Sequence, residues 1–189
     1  MMAEINDDME TSNMVASLGR ILRYSLSNCD EYVLLSEEIY CLNEYISLQK
    51  ERLTNVEFDE HIDYTLYNQR VIRLLLQPIV ENAIMHGWDD SKRNMLISIV
   101  GYRVDNHLIL EVSDNGKGIP EDVLKLTSAS INGLNTGSPN IGLKNVNNRI
   151  KLYFGQAYGL DISSVYGEYT TVRITLPLID STTQDSSVS

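Results

Sequence analysis

The sequence predicts an α+β protein, a two-layer α/β sandwich with a mostly antiparallel sheet, preceded by two N-terminal helices. Three observations carry that prediction. Helix-like and strand-like stretches interleave from residue 55 onward. Two pairs of apolar stretches are joined by tight turn signals, one through Val104-Asp105-Asn106 and one at Gly167. Before residue 55, by contrast, the apolar spacing is helical.

With 189 residues the chain can build one well-buried core and a smaller appendage. Apolar residues make up 43% and charged residues 22%, the balance of an ordinary folded protein. No run of about 18 apolar residues occurs, so nothing reads as a membrane span. Fifteen basic residues face 26 acidic ones, a net charge of -11, which disfavours a nucleic-acid partner. Cys29 and Cys41 have neither metal-type spacing nor a CxxC and read as free thiols in a reducing compartment.

In order along the chain, residues 10–27 form an amphipathic helix with Met14, Leu18, Ile21, Leu22 and Leu26 on one stripe, and Thr11 and Ser12 as candidate caps. Asn28-Cys29-Asp30-Glu31 ends it. Ser36-Glu37-Glu38 opens a second helix carrying Ile39, Leu42, Ile46, Gln49 and Leu53. Residues 56–66 alternate as a strand. Residues 70–86 are apolar and too long for a strand, so they read as helical, with a break near Gln77 and a fresh helix over 78–86 begun by Pro78. Strands follow over 95–102 and 107–112, then a short helix over 120–126 with Pro120 at its start. Residues 127–140 are rich in Ser, Thr, Asn and Gly and read as a long functional loop. A helix over 141–154 stops at Gly155, strands over 157–165 and 169–176 form the second hairpin, and the end from Ser181 has a disordered composition.

Three segments carry chemistry. Asp114 ends a strand and precedes Asn115-Gly116-Lys117-Gly118, where a carboxylate can accept from an exocyclic amine and glycines let backbone approach a ring. Asn82 sits on a helix beside Glu81, and its amide oxygen is a hard ligand of the kind magnesium takes. Gly142-Leu143 opens a helix after a polar loop, where free N–H groups suit phosphate, with Lys144 and Arg149 adding positive charge. Each alone is weak, since Asp-Asn-Gly is also a turn signal and an Asn on a helix is usually solvated. Their order and spacing together describe a pocket for a nucleotide and its magnesium. Of the histidines, His61 and His107 read as exposed, while His86 ends the Asn82 helix and can face phosphate. None sits in a context like a phosphorylated histidine or a zinc site.

The conjunction resembles the GHKL superfamily of ATP-binding domains, the Bergerat fold shared by sensor histidine kinases, type II topoisomerases, mismatch-repair proteins and a heat-shock chaperone. Gln77-Pro78-Ile79-Val80-Glu81-Asn82-Ala83-Ile84-Met85-His86-Gly87 is similar to its N box, Asp114-Asn115-Gly116-Lys117-Gly118 to its first glycine box, and Asn140-Ile141-Gly142-Leu143 to its second. Leu74-Leu75-Leu76-Gln77-Pro78 and Gly142-Leu143-Lys144-Asn145-Val146-Asn147-Asn148-Arg149-Ile150 most resemble sensor kinases of the LytS/YesM type. The resemblance implies a sheet of about five strands, ATP and Mg as ligands, Asn82 holding Mg, and Asp114 reading adenine. Gly116, Gly118 and Ile119 would line the base, with Gly142, Leu143, Lys144 and His86 near the phosphates. Thr171 would support adenine through water, and residues 127–140 would be the lid.

Four departures stand out. Where autonomous ATPases and serine kinases of this superfamily carry a Glu, the chain has Pro78, which cannot be a base. Met85 replaces a phosphate-facing Lys, and Asn140 replaces a glycine. The Asn-Pro-His-Phe segment that holds the phosphoacceptor histidine in this subgroup does not occur.

The expected function is therefore the ATP-binding part of a two-component sensor histidine kinase, a cytoplasmic fragment of a membrane-bound receptor that binds Mg·ATP but does not phosphorylate itself. Residues 1–54 would be a remnant of the dimerisation and phosphoacceptor helices, 55–179 the catalytic domain and 180–189 a disordered tail. A response regulator and, in the intact kinase, a second copy would be its partners. Two rivals remain: an anti-sigma regulator of serine-kinase type on the same fold, and a non-catalytic dimerisation module with a degenerate pocket.

Overall fold

Alternation of buried and exposed side chains lays down the strands, and apolar stripes at helical spacing lay down the helices that cover them. The computed structural model describes residues 2–26, 31–53, 55–87, 94–133 and 141–179. Their order is α1 (Met2–Leu26), β1 (Tyr32–Leu34), α2 (Leu35–Arg52), β2 (Val56–Ile62), β3 (Arg70–Ile72), α3 (Gln77–Gly87), β4 (Met95–Val104), β5 (His107–Asp114), α4 (Glu121–Ile131), α5 (Ile141–Phe154), β6 (Gly159–Val165) and β7 (Tyr169–Pro177).

The main sheet has five strands in the order β2-β4-β5-β7-β6. Only β2 and β4 run parallel; the other three pairings are antiparallel. Met95, Ile97 and Ile99 of β4, Leu108, Leu110 and Val112 of β5, and Val172, Ile174 and Leu176 of β7 point to one buried face. Against it pack Ile79, Val80 and Ala83 of α3 and Leu143, Val146 and Ile150 of α5. The opposite face is polar. There Glu111 accepts from Arg173 Nε at 2.6 Å and from the Tyr102 hydroxyl at 3.1 Å. Leu35, Ile39, Leu42 and Ile46 of α2 join the same core, so α2 is part of the packed body, whereas α1 leaves Val15, Leu18, Leu22 and Leu26 exposed.

Several local expectations change. The first helix begins at Met2, so Thr11 and Ser12 lie inside it and do not cap it. Arg70–Ile72 is a strand, not a helix, and pairs antiparallel with Tyr32–Leu34, which the sequence left unassigned. Three residues are too few to display a period of two, and burial of Val71 and Ile72 made the stretch look helical. The strand from Val56 stops at Ile62, because Asp63 accepts from Thr65 N at 2.9 Å and turns Tyr64–Leu66 into a 3-10 turn. The helix after Pro120 continues to Ile131 and buries Thr127, Ser130 and Ile131, so the first part of the expected loop is helical. Its remainder from residue 134, with Asn140, lies outside the described residues, as do Cys29 and the tail. His61 is exposed and 3.0 Å from Asp59, while His107 is half-buried against the Tyr158 ring. Cys41 is buried, and burial together with the nearby Glu38 pushes its thiol up to about 11.

Candidate functional site

Helix α3 starts where the sequence places its break, with Pro78 in its first turn, where a missing N–H costs nothing. Ile79, Asn82, Ala83 and His86 then fall on one stripe. Asn82 Nδ2 donates to the Pro78 carbonyl at 2.7 Å, which holds the amide by its NH2 end; the oxygen is the end able to ligate a cation.

Asp114 closes β5 and is buried, 6% exposed. Its Oδ1 accepts from Gly116 N at 3.0 Å. The turn that follows is pressed between two other parts of the chain. A Cβ on Gly116 would stand 1.9 Å from the Gly87 carbonyl oxygen, so only glycine fits. Gly118 has φ +64 and lies against the Val165 carbonyl, where a Cβ would come to 2.1 Å. Lys117 N donates to Gly87 O at 2.9 Å, and Gly167 N donates to Lys117 O at 2.7 Å. Ile119 N donates to Ser164 Oγ at 2.8 Å.

Between α3, this turn, α4 and the sheet lies a cavity of about 260 Å³. Asn82, His86, Asp114, Gly118, Ile119 and Leu143 all line it, beside Ile79, Ala83, Val112, Ile162 and Val172, which make most of its wall apolar. Gly142 brings the first turn of α5 to the rim, where a Cβ would be 3.4 Å from Asn82 Nδ2. An apolar slot with one buried carboxylate at its end and a helix start at its mouth suits a flat heteroaromatic base joined to phosphates.

The comparisons with known proteins agree. Residues 67–180 match the family described as histidine kinase-, DNA gyrase B-, and HSP90-like ATPases, and residues 1–57 match a histidine kinase family. The chain belongs to the first of these families. It is 32% identical over 177 residues to the sensor histidine kinase YesM of Bacillus subtilis, covering 93% of this chain and 29% of that protein. It is 30% identical over 175 residues to the sensor histidine kinase BtsS of Escherichia coli, covering 92% and 29%. The chain thus spans under a third of these relatives. Among solved structures, the histidine kinase domain from Erythrobacter litoralis EL346 matches with a TM-score of 0.56 at 18% identity, over 88% of this chain and 74% of that one. The catalytic domain of the histidine kinase ThkA matches at 0.58 and 16%, over 78% and 94%. Both place the chain in the GHKL fold.

In this ATPase-family member some expected site residues stand elsewhere. Thr171 does not line the cavity. Its hydroxyl is 2.8 Å from Ser113 Oγ on the opposite face of the sheet. Thr170 is paired with Asp114 across β5 and β7, so it is Thr170 that shares the carboxylate's face and lines the cavity. Arg149 is also removed from the site, because its Nη2 donates to the Arg73 carbonyl at 2.6 Å. Gly116 and Lys144 are not among the lining residues; Gly116 acts beneath Asp114 as a spacer. Met85 is exposed and outside the lining, while its neighbour His86 is in it. Sequence reasoning missed Lys117, Val123 and Thr127 as lining residues. Lys117 lay in plain view between two glycines, Val123 sits on the helix already expected over 120–126, and Thr127 is brought in by the continuation of α4 to Ile131.

Among the described residues no group of three or more His, Cys, Asp or Glu gathers to hold a metal. A magnesium ion there would need a different donor set, which the Asn82 amide oxygen could supply in part, with the rest from phosphate and water.

Proposed function

We propose that this chain is the ATP-binding catalytic part of a two-component sensor histidine kinase. It passes the γ-phosphate of ATP to a histidine outside this stretch, from which the phosphate goes to an aspartate of a response regulator. The observation that carries this reading is the convergence of Asn82, Asp114, Gly118 and Leu143, from three separate segments, on one largely apolar cavity.

The buried Asp114 carboxylate accepts from the adenine amine, and guanine, which presents a carbonyl oxygen there, is rejected. Ile79, Ala83 and Val172 exclude water from the base. Asn82 would hold magnesium through its amide oxygen, where the ion neutralises charge on the phosphates. Lys117 lies on the cavity wall with the His86 imidazole, and Lys144 stands one turn into α5. Pro78 offers no base to activate water, which leaves an incoming imidazole nitrogen as the acceptor. That nitrogen attacks the γ-phosphorus in line, the bond to the β,γ-bridging oxygen breaks, and ADP leaves with the electron pair. Residues 1–54 serve as the stub of the dimerisation region, docked through α2, and 55–179 as the catalytic domain. In the intact kinase a second copy completes the dimer, and segments outside this stretch anchor it to a membrane.

Calorimetric titration of the chain with Mg·ATP and Mg·GTP tests the reading. Saturable heat with ATP, absent with GTP and lost in Asp114→Asn, is the expected result. No heat with either nucleotide would sink it.

A further inference from the structure

Among the described residues Glu38 and Asp114 are the two buried acidic side chains, and Glu38, 2% exposed on α2, is the one to which the nucleotide reading gives no role. Its Oε1 accepts from Leu75 N at 2.7 Å and Leu76 N at 2.9 Å. Its Oε2 accepts from Leu74 N at 3.0 Å and from the Tyr24 hydroxyl of α1. Burial pushes this carboxyl group up from its usual range, and the four donors work against that. Both oxygens are committed as acceptors, the arrangement of a carboxylate held by a ring of donors.

The three backbone donors, Leu74 to Leu76, are the last peptides before α3. Leu74 holds φ 53, a left-handed value that a branched side chain adopts only under constraint, and the carboxylate supplies the constraint. The same joint is tied on its other side. Arg73 Nη1 donates to the Tyr24 carbonyl at 2.8 Å and its guanidinium lies 5.1 Å from the Tyr24 ring. The Arg73 carbonyl accepts from Arg149 of α5. One junction therefore joins α1, α2, the start of α3 and α5. Asn82 lies about 9 Å farther along the α3 axis, on a helix too short to absorb a shift of its first turn.

We propose that Glu38 is a positioning residue for the metal-bearing end of the nucleotide site. By gathering the Leu74, Leu75 and Leu76 N–H groups under the Tyr24 hydroxyl, it sets where α3 begins and thus where Asn82 presents its amide oxygen, and it ties that place to the lie of α1. The inference rests on the nucleotide reading above and adds to it a route by which the N-terminal helices reach the metal end of the site while leaving the adenine end alone.

The two ends can be separated by experiment. The chain, its Glu38→Gln variant and its Tyr24→Phe variant are titrated with ATP in excess magnesium and with ATP in chelator. Glu38→Gln puts an NH2 against the Leu74 and Tyr24 donors. It is expected to weaken Mg·ATP about tenfold while metal-free ATP changes by less than about twofold. Tyr24→Phe keeps the carboxylate and its three backbone donors and is expected to lose about threefold with the same split. Should Glu38→Gln fail to fold by circular dichroism, Tyr24→Phe decides alone. Equal losses with and without metal would mean a merely structural role and overturn the inference, as would no loss in either variant. A parent chain that binds ATP in neither condition refutes the nucleotide reading itself, and this inference with it; a parent that binds Mg·ATP beside unaffected variants refutes the inference only.

Discussion

Thr170 stands directly across the β5–β7 ladder from Asp114, and Thr171 directly across from Ser113. Neighbouring threonines thus serve opposite faces of one sheet. Thr170→Val should weaken ATP binding about three- to tenfold by removing a cavity-lining hydroxyl that stands 3.0 Å from Ser164 Oγ, the group that holds Ile119 N. Thr171→Val should leave affinity unchanged, since its partner Ser113 is on the far face. Titration of the two variants side by side checks the assignment, and the reverse ranking would refute it.

The glycines of this protein should separate by what surrounds them. Gly116→Ala places a methyl 1.9 Å from the Gly87 carbonyl and Gly118→Ala one 2.1 Å from the Val165 carbonyl, so both backbones must move. Gly155, which ends α5 with φ +98, has nothing within 4 Å of a Cβ. Gly155→Ala should therefore cost only about 1 kcal/mol, the conformational term alone. Losses above about 2 kcal/mol are expected for the other two. Denaturant unfolding of the three variants gives the ranking.

Asn147 is wholly buried on α5, and its amide joins three elements. Nδ2 donates to the Ile131 carbonyl at the end of α4, and Oδ1 accepts from Leu160 N of β6, both at 2.8 Å. Asn147→Ala strands two buried backbone groups and should cost about 3 kcal/mol. Because Ile131 ends the helix that brings Thr127 to the cavity, hydrogen exchange at α4 amides should accelerate more than at β4 amides.

Glu44 of α2 accepts from Ser17 Oγ at 2.6 Å and Arg20 Nη2 at 2.7 Å, both of α1. These two bonds hold its carboxyl below the ordinary range. A depressed folded-state value means that the contribution is present above the unfolded value of about 4.5 and is lost as pH falls through the folded one. Acid should thus loosen α1 from α2 by a modest amount, and Glu44→Gln should flatten that part of the stability–pH curve. An unchanged curve in the variant would contradict the assignment.

Which parts of this were readable from the residues follows from the range of the interactions. Asn82, Asp114 and Gly118 sit in short, glycine- and proline-marked segments whose local geometry is nearly dictated, and all three meet at the cavity. The Thr171 expectation failed by one residue because a strand's phase is fixed by its partner, here Asp114 of β5, and not by its own letters. β1 and β3 were invisible because each is three residues long and is specified by the other. Glu38 looked like an ordinary first-turn acid of an amphipathic helix. Its role depends on peptides at Leu74 to Leu76 and a phenol at Tyr24, which no local pattern connects.

The peptide of Lys117 is anchored at both ends, its N–H to Gly87 and its carbonyl to Gly167. A segment pinned this way has a fixed length. An inserted or deleted residue between Asp114 and Ile119 would put one anchor out of reach, whereas the exposed Lys117 side chain can be exchanged without touching either. Natural variation in this stretch is therefore expected as changes of letter, never of count, and a designer seeking a new base preference has side chains to alter but no slack to spend.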